Sequence, residues 1–396
     1  TIPPDFGRFT TTESTENISF GGFNGAIQEA LSLINNIDSS NKWLNMNPKK
    51  FVFKNNKIFV IAEAGSNWKC GTYDADLDQA KKLIDIASKS GANAVKFQTY
   101  RPETTYVKNA GNSNYLKDNN INENINKIFE NLAMPYDMIP KLANYCKEKN
   151  ILFMSTPFSV QDAREIDPYV EIHKIASFEI NHIRLIEFLA KTNKPIILST
   201  GASTIDEIEF ALNIIKSNGK SQIALLQCTS KYPASINSLN LNVIKNYSEK
   251  LSVISGLSDH STHPTLAPLV AIGLGALIIE KHFTLDRNLP GPDHSFALEP
   301  DELKTMIELI RQAELTLGSN QKQIIDEENE LRNFATRRIQ SITNISKGEI
   351  LKEGVNFDIL RPGNRIHGLP PIYLEKIEGK KSTKDVKLGD GIIEFE

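Results

Sequence analysis

"SGLSDHSTHP" occupies Ser255–Pro264, and "ALIIEKHFTLDRNLPGPDHS" follows at Ala276–Ser295. Each begins as an apolar run of strand length and breaks off into Asp, Glu and His. A buried strand gains nothing by ending in charge unless its end faces a site. Two such strands in succession read as neighbours in a parallel sheet, where near-continuous apolar runs are buried on both faces.

Working outward, the same texture recurs upstream. β-rich runs appear at "IFVIAEAG" (58–65), "NAVKFQTY" (93–100), "ILFMSTPF" (151–158), "EIHKIASFE" (171–179), "PIILSTG" (195–201) and "QIALLQCT" (222–229), followed by 251–260 and 276–283. Amphipathic stretches such as "DLDQAKKLIDIASKSG" and "TIDEIEFALNIIKSNG" separate them. Gly91 and Gly219 fall where helix C-cap glycines are expected. Eight such units predict an α/β fold, a (β/α)8 TIM barrel over 51–320, with a doubly wound open sheet as the alternative. "PDELKTMIELIRQAELTLG" (300–318) closes it as a final helix. The charged segment 321–337 reads as a linker. From 338 to 396, short strands with KGE, RPGN and LGDG turns predict a small β-rich domain. Residues 1–50 are polar, with one short helical pattern in "GAIQEALSLINNI", and read as an N-terminal extension.

Composition bounds the partners. The 396 residues are 40% hydrophobic and 23% charged, with a net charge of −3. No basic domain or stripe argues for nucleic acid. No apolar run reaches the roughly 18 residues that span a bilayer. Three cysteines, Cys70, Cys146 and Cys228, without CxxC spacing suit a reducing compartment. "TIPPDFGRFTTTEST" lacks the basic and apolar segments of a signal peptide, so a cytoplasmic location is expected.

In a parallel barrel the active groups sit at the carboxyl ends of the strands. Polar residues fall there in every unit: Glu63; Lys96 with Gln98; Ser155 with Thr156; Lys174 with Ser177 and Glu179; Ser199 with Thr200; Gln227 with Thr229; Ser258 with Asp259 and His260; Glu280 with His282. Strand alternation puts Lys96 with Gln98, Ser258 with His260, and Glu280 with His282 on shared faces, and turns Lys281 away. His260 and His282, on adjacent strands, converge as a metal site with open positions. His173 and His182 read as satisfied core histidines. Lys96 and Lys174 lie on apolar strands and call for an anion, with Thr156, Ser177, Ser199 and Gly201 beside them: a phosphate- or carboxylate-binding set.

From about Phe51 onward the chain resembles the sialic acid (N-acetylneuraminate, or nonulosonic acid) synthase family. The matching pieces are "IAEAGSNW", "VKFQTY", "STPFS", "KIASFE", "ILSTGAS", "LLQCTSKYP", "GLSDHS", "EKHFTLD", "GPDHSFALEP" and "RPGN", in family order. The resemblance implies a TIM barrel followed by an antifreeze-like (SAF) domain, and a domain-swapped homodimer. It implies condensation of phosphoenolpyruvate with an N-acylated amino sugar, aided by Mn2+ or Mg2+. Carried over by motif, Lys96, Gln98, Thr156, Lys174, Ser177, Ser199 and Ser258 look like phosphoenolpyruvate ligands, and His260 and His282 like metal ligands. Glu63, Glu179, Tyr232 and Asp293 look like sugar-side or acid/base groups. Phe334 and Arg361 match positions that close the site, Arg361 from the other subunit. Two departures, Trp68 where the family usually has histidine and Ser230 where it often has Asn, are expected to touch the sugar side. "KIASFEINH" and "LLQCTSKYP" are more similar to members serving bacterial surface or spore-coat polysaccharide.

Two rivals remain on the sequence alone. A Schiff-base aldolase or lyase would use Lys174 as nucleophile and leave the histidines idle. A non-catalytic sugar-binding barrel would tolerate loss of a metal ligand or a phosphate-site lysine, and neither is lost.

Overall fold

The computed structural model describes residues 57–112 and 123–396. The helical pattern expected within the N-terminal extension lies outside them. The chain divides into two compact units, one ending at Leu317 and the other spanning Gly318–Glu396.

The first unit alternates strand and helix throughout. Its strands are β1 (Phe59–Gly65), β2 (Ala94–Thr99), β3 (Leu152–Pro157), β4 (His173–Ile175), β5 (Ile196–Ser199), β6 (Ile223–Cys228), β7 (Ile254–Asp259) and β8 (Ile278–His282). The helices are α1 (Tyr73–Lys89), α2 (Pro102–Thr105), α3 (Ile125–Leu132), α4 (Met138–Glu148), α5 (Val160–Ile166), α6 (Ile183–Lys191), α7 (Ile205–Asn218), α8 (Val243–Leu251), α9 (Leu266–Gly273) and α10 (Pro300–Leu317). All strand pairs are parallel, in the order β3-β2-β1-β8-β7-β6-β5-β4, and β3 also lies against β4. The sheet is a (β/α)8 barrel, not the open alternative.

Period-two alternation explains both of its cores. One phase of each strand points outward: Val60 and Ala62, Val95 and Phe97, Ile196 and Leu198, Leu225, Ile279. These residues pack on the helices in two large buried clusters. The other phase fills the barrel with Phe59, Ile61, Ala94, Leu152, Met154, Ile197, Leu226 and Ile278. Fully burying each large apolar side chain contributes roughly 1.5–3 kcal/mol. Toward the carboxyl ends the inward phase turns polar while keeping its period: Ile61 to Glu63, Ala94 to Lys96, Met154 to Thr156, Ile278 to Glu280.

Three local expectations differ. The fourth strand is short, and Ser177–Glu179 forms a 3-10 turn rather than continuing it. Gly219 caps α7 but with extended backbone, φ −165°; a side chain there would meet the Ala190 carbonyl oxygen at 1.9 Å, so close approach and not a left-handed turn requires glycine. His182 is no core residue: half-buried, it caps α6 by accepting the Leu185 N–H. His173 is buried, with its Nε2 3.1 Å from Asp167.

The second unit is small and β-rich. It holds the helix α11 (Asn329–Ala335), an antiparallel pair of β9 (Arg338–Ser341) and β10 (Phe357–Leu360), and the short α12 (Leu374–Ile377). Further bridges, such as Ile345 with Val386 and Gln340 with Gly391, tie it over a core of Ile339, Leu351, Phe357, Ile377 and Ile392. The expected linker is thus partly helical and belongs to this unit. Among the described residues no helix is long and apolar enough to cross a membrane.

Candidate active site

At the carboxyl-end rim the inward polar residues enclose a cavity of about 60 Å3. Glu63, Lys96, Gln98, Thr156, Lys174, Ser177, Ser199, Tyr232, Ser258, His260 and His282, all expected from the sequence, line it together. It opens into a larger cleft of about 600 Å3, sharing Gln98, Phe158, Ser177, Tyr232 and His282 with it. Glu179 and Asp293 line that cleft.

The lysines anchor the floor. Lys96 Nζ donates to Thr156 Oγ1 at 3.1 Å and lies 2.6 Å from Glu63 and 3.6 Å from Glu280. Lys174 Nζ donates to Ser199 Oγ at 2.7 Å and to the Ile175 carbonyl at 3.0 Å, with Glu280 at 3.8 Å. The expectation that both lysines need an outside anion is corrected here, since the protein supplies part of the countercharge itself. The two are not equally served. Burial works against charge on Lys96, but Glu280 and Glu63 prevail and hold it above the ordinary lysine range. Burial wins at Lys174 and lowers it.

Glu280, which the sequence pattern leaves without a role, is the hub of the cavity. It accepts from Ser258 Oγ at 2.8 Å and faces both lysines. Its place in the inward phase, two residues before His282, was the signal. Cys228 was likewise missed; it shares that phase, and its Sγ lies 3.7 Å from His260 Nδ1. Glu63 is pushed up to about 7 by burial, against the pull of Lys96. Glu179 also rises to about 7, through burial and then Asp162. Both are poised to exchange protons near neutrality. Asp293 accepts from the Ser66 N–H and hydroxyl, and burial raises it as well. Gly65, at φ +53°, turns the end of β1 beneath it; a side chain there would come within 2.7 Å of Asp293 Oδ2.

The imidazoles of His260 and His282 lie 5.5 Å apart, centroid to centroid, with the Tyr232 ring 4.2 Å from the first. His260 Nδ1–H donates to the Thr229 carbonyl at 2.8 Å, which leaves Nε2 as the lone-pair nitrogen. Buried His282 Nδ1 has no hydrogen-bond partner among the described residues. Burial, with His260 and Lys96 beside it, holds His282 well below its ordinary range and therefore neutral. Against the opposing effect of burial, Cys228 and the Thr229 carbonyl hold His260 above its ordinary range. Once deprotonated, its Nε2, oriented by the carbonyl behind Nδ1, and neutral His282 fit the donor set of a divalent cation with open positions.

The polar strand ends do not all face the rim. Ser155 bonds Thr99, Thr200 bonds Tyr247 and the Leu226 carbonyl, Gln227 bonds the Leu239 carbonyl, and Asp259 pairs with Lys281; all four point to the outer layer. Trp68 does not touch the sugar side either, because it is buried in the outer core; Ser230 does line the cleft. Phe334 and Arg361 both lie in the second unit. Phe334 sits on α11, its carbonyl accepting the Gly363 N–H of the RPGN turn at 3.1 Å, and Arg361 is exposed beside it.

Lysines, carboxylates and imidazoles converge at the carboxyl end of a parallel barrel, where barrel enzymes carry their active sites. The NeuB family model matches residues 83–322. The spore coat polysaccharide biosynthesis protein SpsE of Bacillus subtilis is 40% identical over 362 residues, covering 87% of this chain and 94% of that protein. The N,N'-diacetyllegionaminic acid synthase of Campylobacter jejuni is 38% identical over 335 residues, 84% of this chain and 97% of the relative. The crystal structure of the N-acetylneuraminic acid synthetase of Leptospira borgpetersenii, in complex with citrate, has a TM-score of 0.62 at 35% identity, covering 70% of this chain and 92% of that one. The chain belongs to the NeuB family, and its named relatives include nonulosonic acid synthases.

Proposed function

We propose that the protein condenses phosphoenolpyruvate with an N-acylated amino sugar and water, giving a nonulosonic acid and inorganic phosphate. The observation that carries this reading is the inner cavity, where two buried lysines, each bonded to a hydroxyl, share one lining with a pair of buried imidazoles. The lysines with Thr156, Ser177, Ser199 and Ser258 hold the phosphate and carboxylate. His260 and His282 would hold Mn2+ or Mg2+, which supplies Lewis-acid polarisation of the sugar aldehyde when bound.

The balance of bonds is simple. C3 of phosphoenolpyruvate bonds to the aldehyde carbon, whose oxygen takes a proton. Water adds at C2, and the C2–O bond to phosphate breaks. Glu63, held near neutrality and beside Lys96, is placed to move a proton at the reacting end; Glu179 and Asp293 are placed along the sugar. Asp293 and Tyr232 orient the sugar, and Arg361 with Phe334 closes the site from the second subunit of a domain-swapped dimer, the small unit serving as an antifreeze-like domain.

The test supplies phosphoenolpyruvate labelled with 18O at the bridging oxygen, together with candidate amino sugars. Label in the released phosphate, with a product of summed mass less phosphate plus water, supports the reading. Label left in the organic product overturns C–O cleavage. Burial lowers Lys174, and this direction favours a second reading, since a Schiff base forms on an unprotonated amine. A borohydride-trapped adduct on Lys174 would establish it.

A further inference from the structure

The loop that follows β8 runs out from Phe283, returns at Leu298 and carries GPDHS at its far end. Its base continues the sheet. Phe283 and Leu298 are bridged, the Thr284 N–H donates to the Leu298 carbonyl at 2.9 Å, and the Leu298 N–H donates to the His282 carbonyl at 2.9 Å. Its far end is a single 3-10 turn, His294–Phe296, with Asp293 immediately before it. Asp293 lines the cleft and accepts from the Ser66 hydroxyl. At the other end of the turn the Phe296 ring packs 5.1 Å from that of His282 and 5.5 Å from that of Tyr232, centroid to centroid. The turn therefore meets the site on both sides of His294.

His294 itself lines neither the cavity nor the cleft. It is 1% exposed, and its Nδ1 lies 2.6 Å from Oγ1 of Thr284, which is fully buried. Gly291, at φ +149°, closes over the ring; a side chain there would come within 2.8 Å of the imidazole Cδ2, so glycine alone fits. Burial pushes His294 down to about 4, against the pull of Asp286, so the imidazole is neutral near pH 7. Taking a polar ring out of water costs free energy unless the ring is hydrogen-bonded, a cost that an apolar side chain of similar size would not incur. What the imidazole contributes is direction, because a buried hydrogen bond specifies one arrangement where apolar packing accepts several. Thr284 completes the device. Its Oγ1 also lies 3.2 Å from the Asp286 carbonyl and 3.3 Å from the Asp286 N–H. One hydroxyl thus ties the loop at two points, Asp286 and His294, to the strand end that carries His282.

We infer that His294 is a positioning residue: through its bond to Thr284 it fixes the turn that presents the Asp293 carboxyl to the cleft. This rests on the synthase reading above. His294 acts through Asp293 and touches neither substrate, so its loss is felt as misplacement of the Asp293 carboxyl and not as a missing contact.

The experiment follows phosphate release by the full-length enzyme from phosphoenolpyruvate with N-acetylmannosamine or a 2,4-diacetamido-2,4,6-trideoxyhexose, whichever it turns over. It is run at a temperature where thermal unfolding shows each variant fully folded. Thr284→Val keeps the shape of the side chain and removes the hydroxyl, His294→Leu removes Nδ1, and Thr284→Ser keeps the hydroxyl as a control. The first two should lower kcat/KM for the sugar by at least about 10-fold, within the roughly 100-fold that a 1 Å misplacement costs. Thr284→Ser should stay close to the native chain, and the KM for phosphoenolpyruvate, set at the lysine end of the cavity, should not move. In Asp293→Ala chains Thr284→Val should cost little more, because the group it acts through is already gone. Thr284→Val, the milder change, decides the matter should His294→Leu fail to fold. An unmoved kcat/KM in folded Thr284→Val overturns the inference. So does an equal loss toward both substrates, or a loss as large in Asp293→Ala chains as in the native one; either would leave His294 and Thr284 as scaffold alone. Phosphate release with neither sugar from the native chain takes down the synthase reading as well, whereas turnover that the variants leave unmoved overturns the positioning role alone.

Discussion

Replacing Lys281 by Met tests whether the fold clamps its own active-site strands from behind. Asp259 and Lys281 are register partners on β7 and β8, with Nζ 2.5 Å from Oδ2. Their side chains are 0% and 2% exposed. One residue earlier on each strand, Ser258 and Glu280 are register partners too, and they bond on the inside at 2.8 Å. The two strands are therefore stitched on both faces at successive positions, just before His260 and just before His282. Methionine keeps the length and the apolar stem and removes the ammonium. Among the described residues, Asp259 then keeps the Ser261 N–H and hydroxyl, at 2.8 and 3.1 Å.

Removing one partner of a buried pair costs about 3–5 kcal/mol, because the survivor is left charged out of water. An exposed pair would cost about 1 kcal/mol or less. Domains are typically stable by about 5–15 kcal/mol, so the loss is large. The double variant Asp259→Asn/Lys281→Met should cost less than the sum of its parts, since no uncompensated charge remains. Urea unfolding of the four proteins closes the cycle. A Lys281→Met cost under about 1 kcal/mol, or strict additivity, would refute the clamp.

Other outcomes follow from the site. Lys96→Met should lower kcat/KM for phosphoenolpyruvate at least about 30-fold, the equivalent of roughly 2 kcal/mol for a desolvated charge contact, with the sugar KM little changed; equal effects on both substrates would make Lys96 structural. Chelation should abolish turnover and Mn2+ restore it, and His260→Ala should weaken Mn2+ binding followed by electron paramagnetic resonance; full activity after exhaustive chelation would remove the metal from the scheme. Glu179, raised from the ordinary 4.5 to about 7, holds a proton in the fold that the unfolded chain has already lost across that window, so stability falls as pH rises from 4.5 to 7. Glu179→Gln should therefore gain thermal stability relative to the native chain between pH 5 and pH 8, and a constant difference in Tm would show that the side chain is solvated. Mixing inactive Lys96→Ala and Arg361→Ala chains under subunit exchange should return activity if Arg361 works in trans; confirmed exchange without activity would place it elsewhere.

The barrel and the inner cavity were legible because both rest on period two. Once Ile61 faces inward, so must Glu63, and the same count delivers Lys96, Thr156, Ser258, Glu280 and His282. Counting fails where the strand stops. The fourth strand ends at Ile175, so Glu179 owes its place to a 3-10 turn. Period two also had the power to exclude Ser155, Thr200, Gln227 and Asp259, whose out-of-phase positions send them to the helices. Helix α3 was not legible for another reason. Its stripe is indistinguishable in sequence from one that faces the barrel core, whereas among the described residues it forms a small cluster of its own and lines the cleft. Phe334 and Arg361 are separated by 26 positions, and nothing in their spacing announces that α11 rests against the RPGN turn.

The arrangement of charge on the cavity floor bears on how an anion enters at all. Lys96 already has two carboxylates and Lys174 shares one of them, so a dianionic phosphate arriving beside Glu63 and Glu280 would be repelled if both stayed ionised. Burial has set one of the two apart. Glu63 sits near 7, while the lysines and Ser258 hold Glu280, despite its burial, below the ordinary carboxylate range. If phosphoenolpyruvate binds here, Glu63 is the group expected to take up a proton, which would release Lys96 from that pair. It would return that proton when the phosphate leaves. On this account the resting ion pairs are placeholders for the substrate's charge. Binding of phosphoenolpyruvate near pH 7.5 should then be accompanied by proton uptake, which calorimetry in buffers of different ionisation enthalpy measures directly. Glu63→Gln, already neutral, should bind without it.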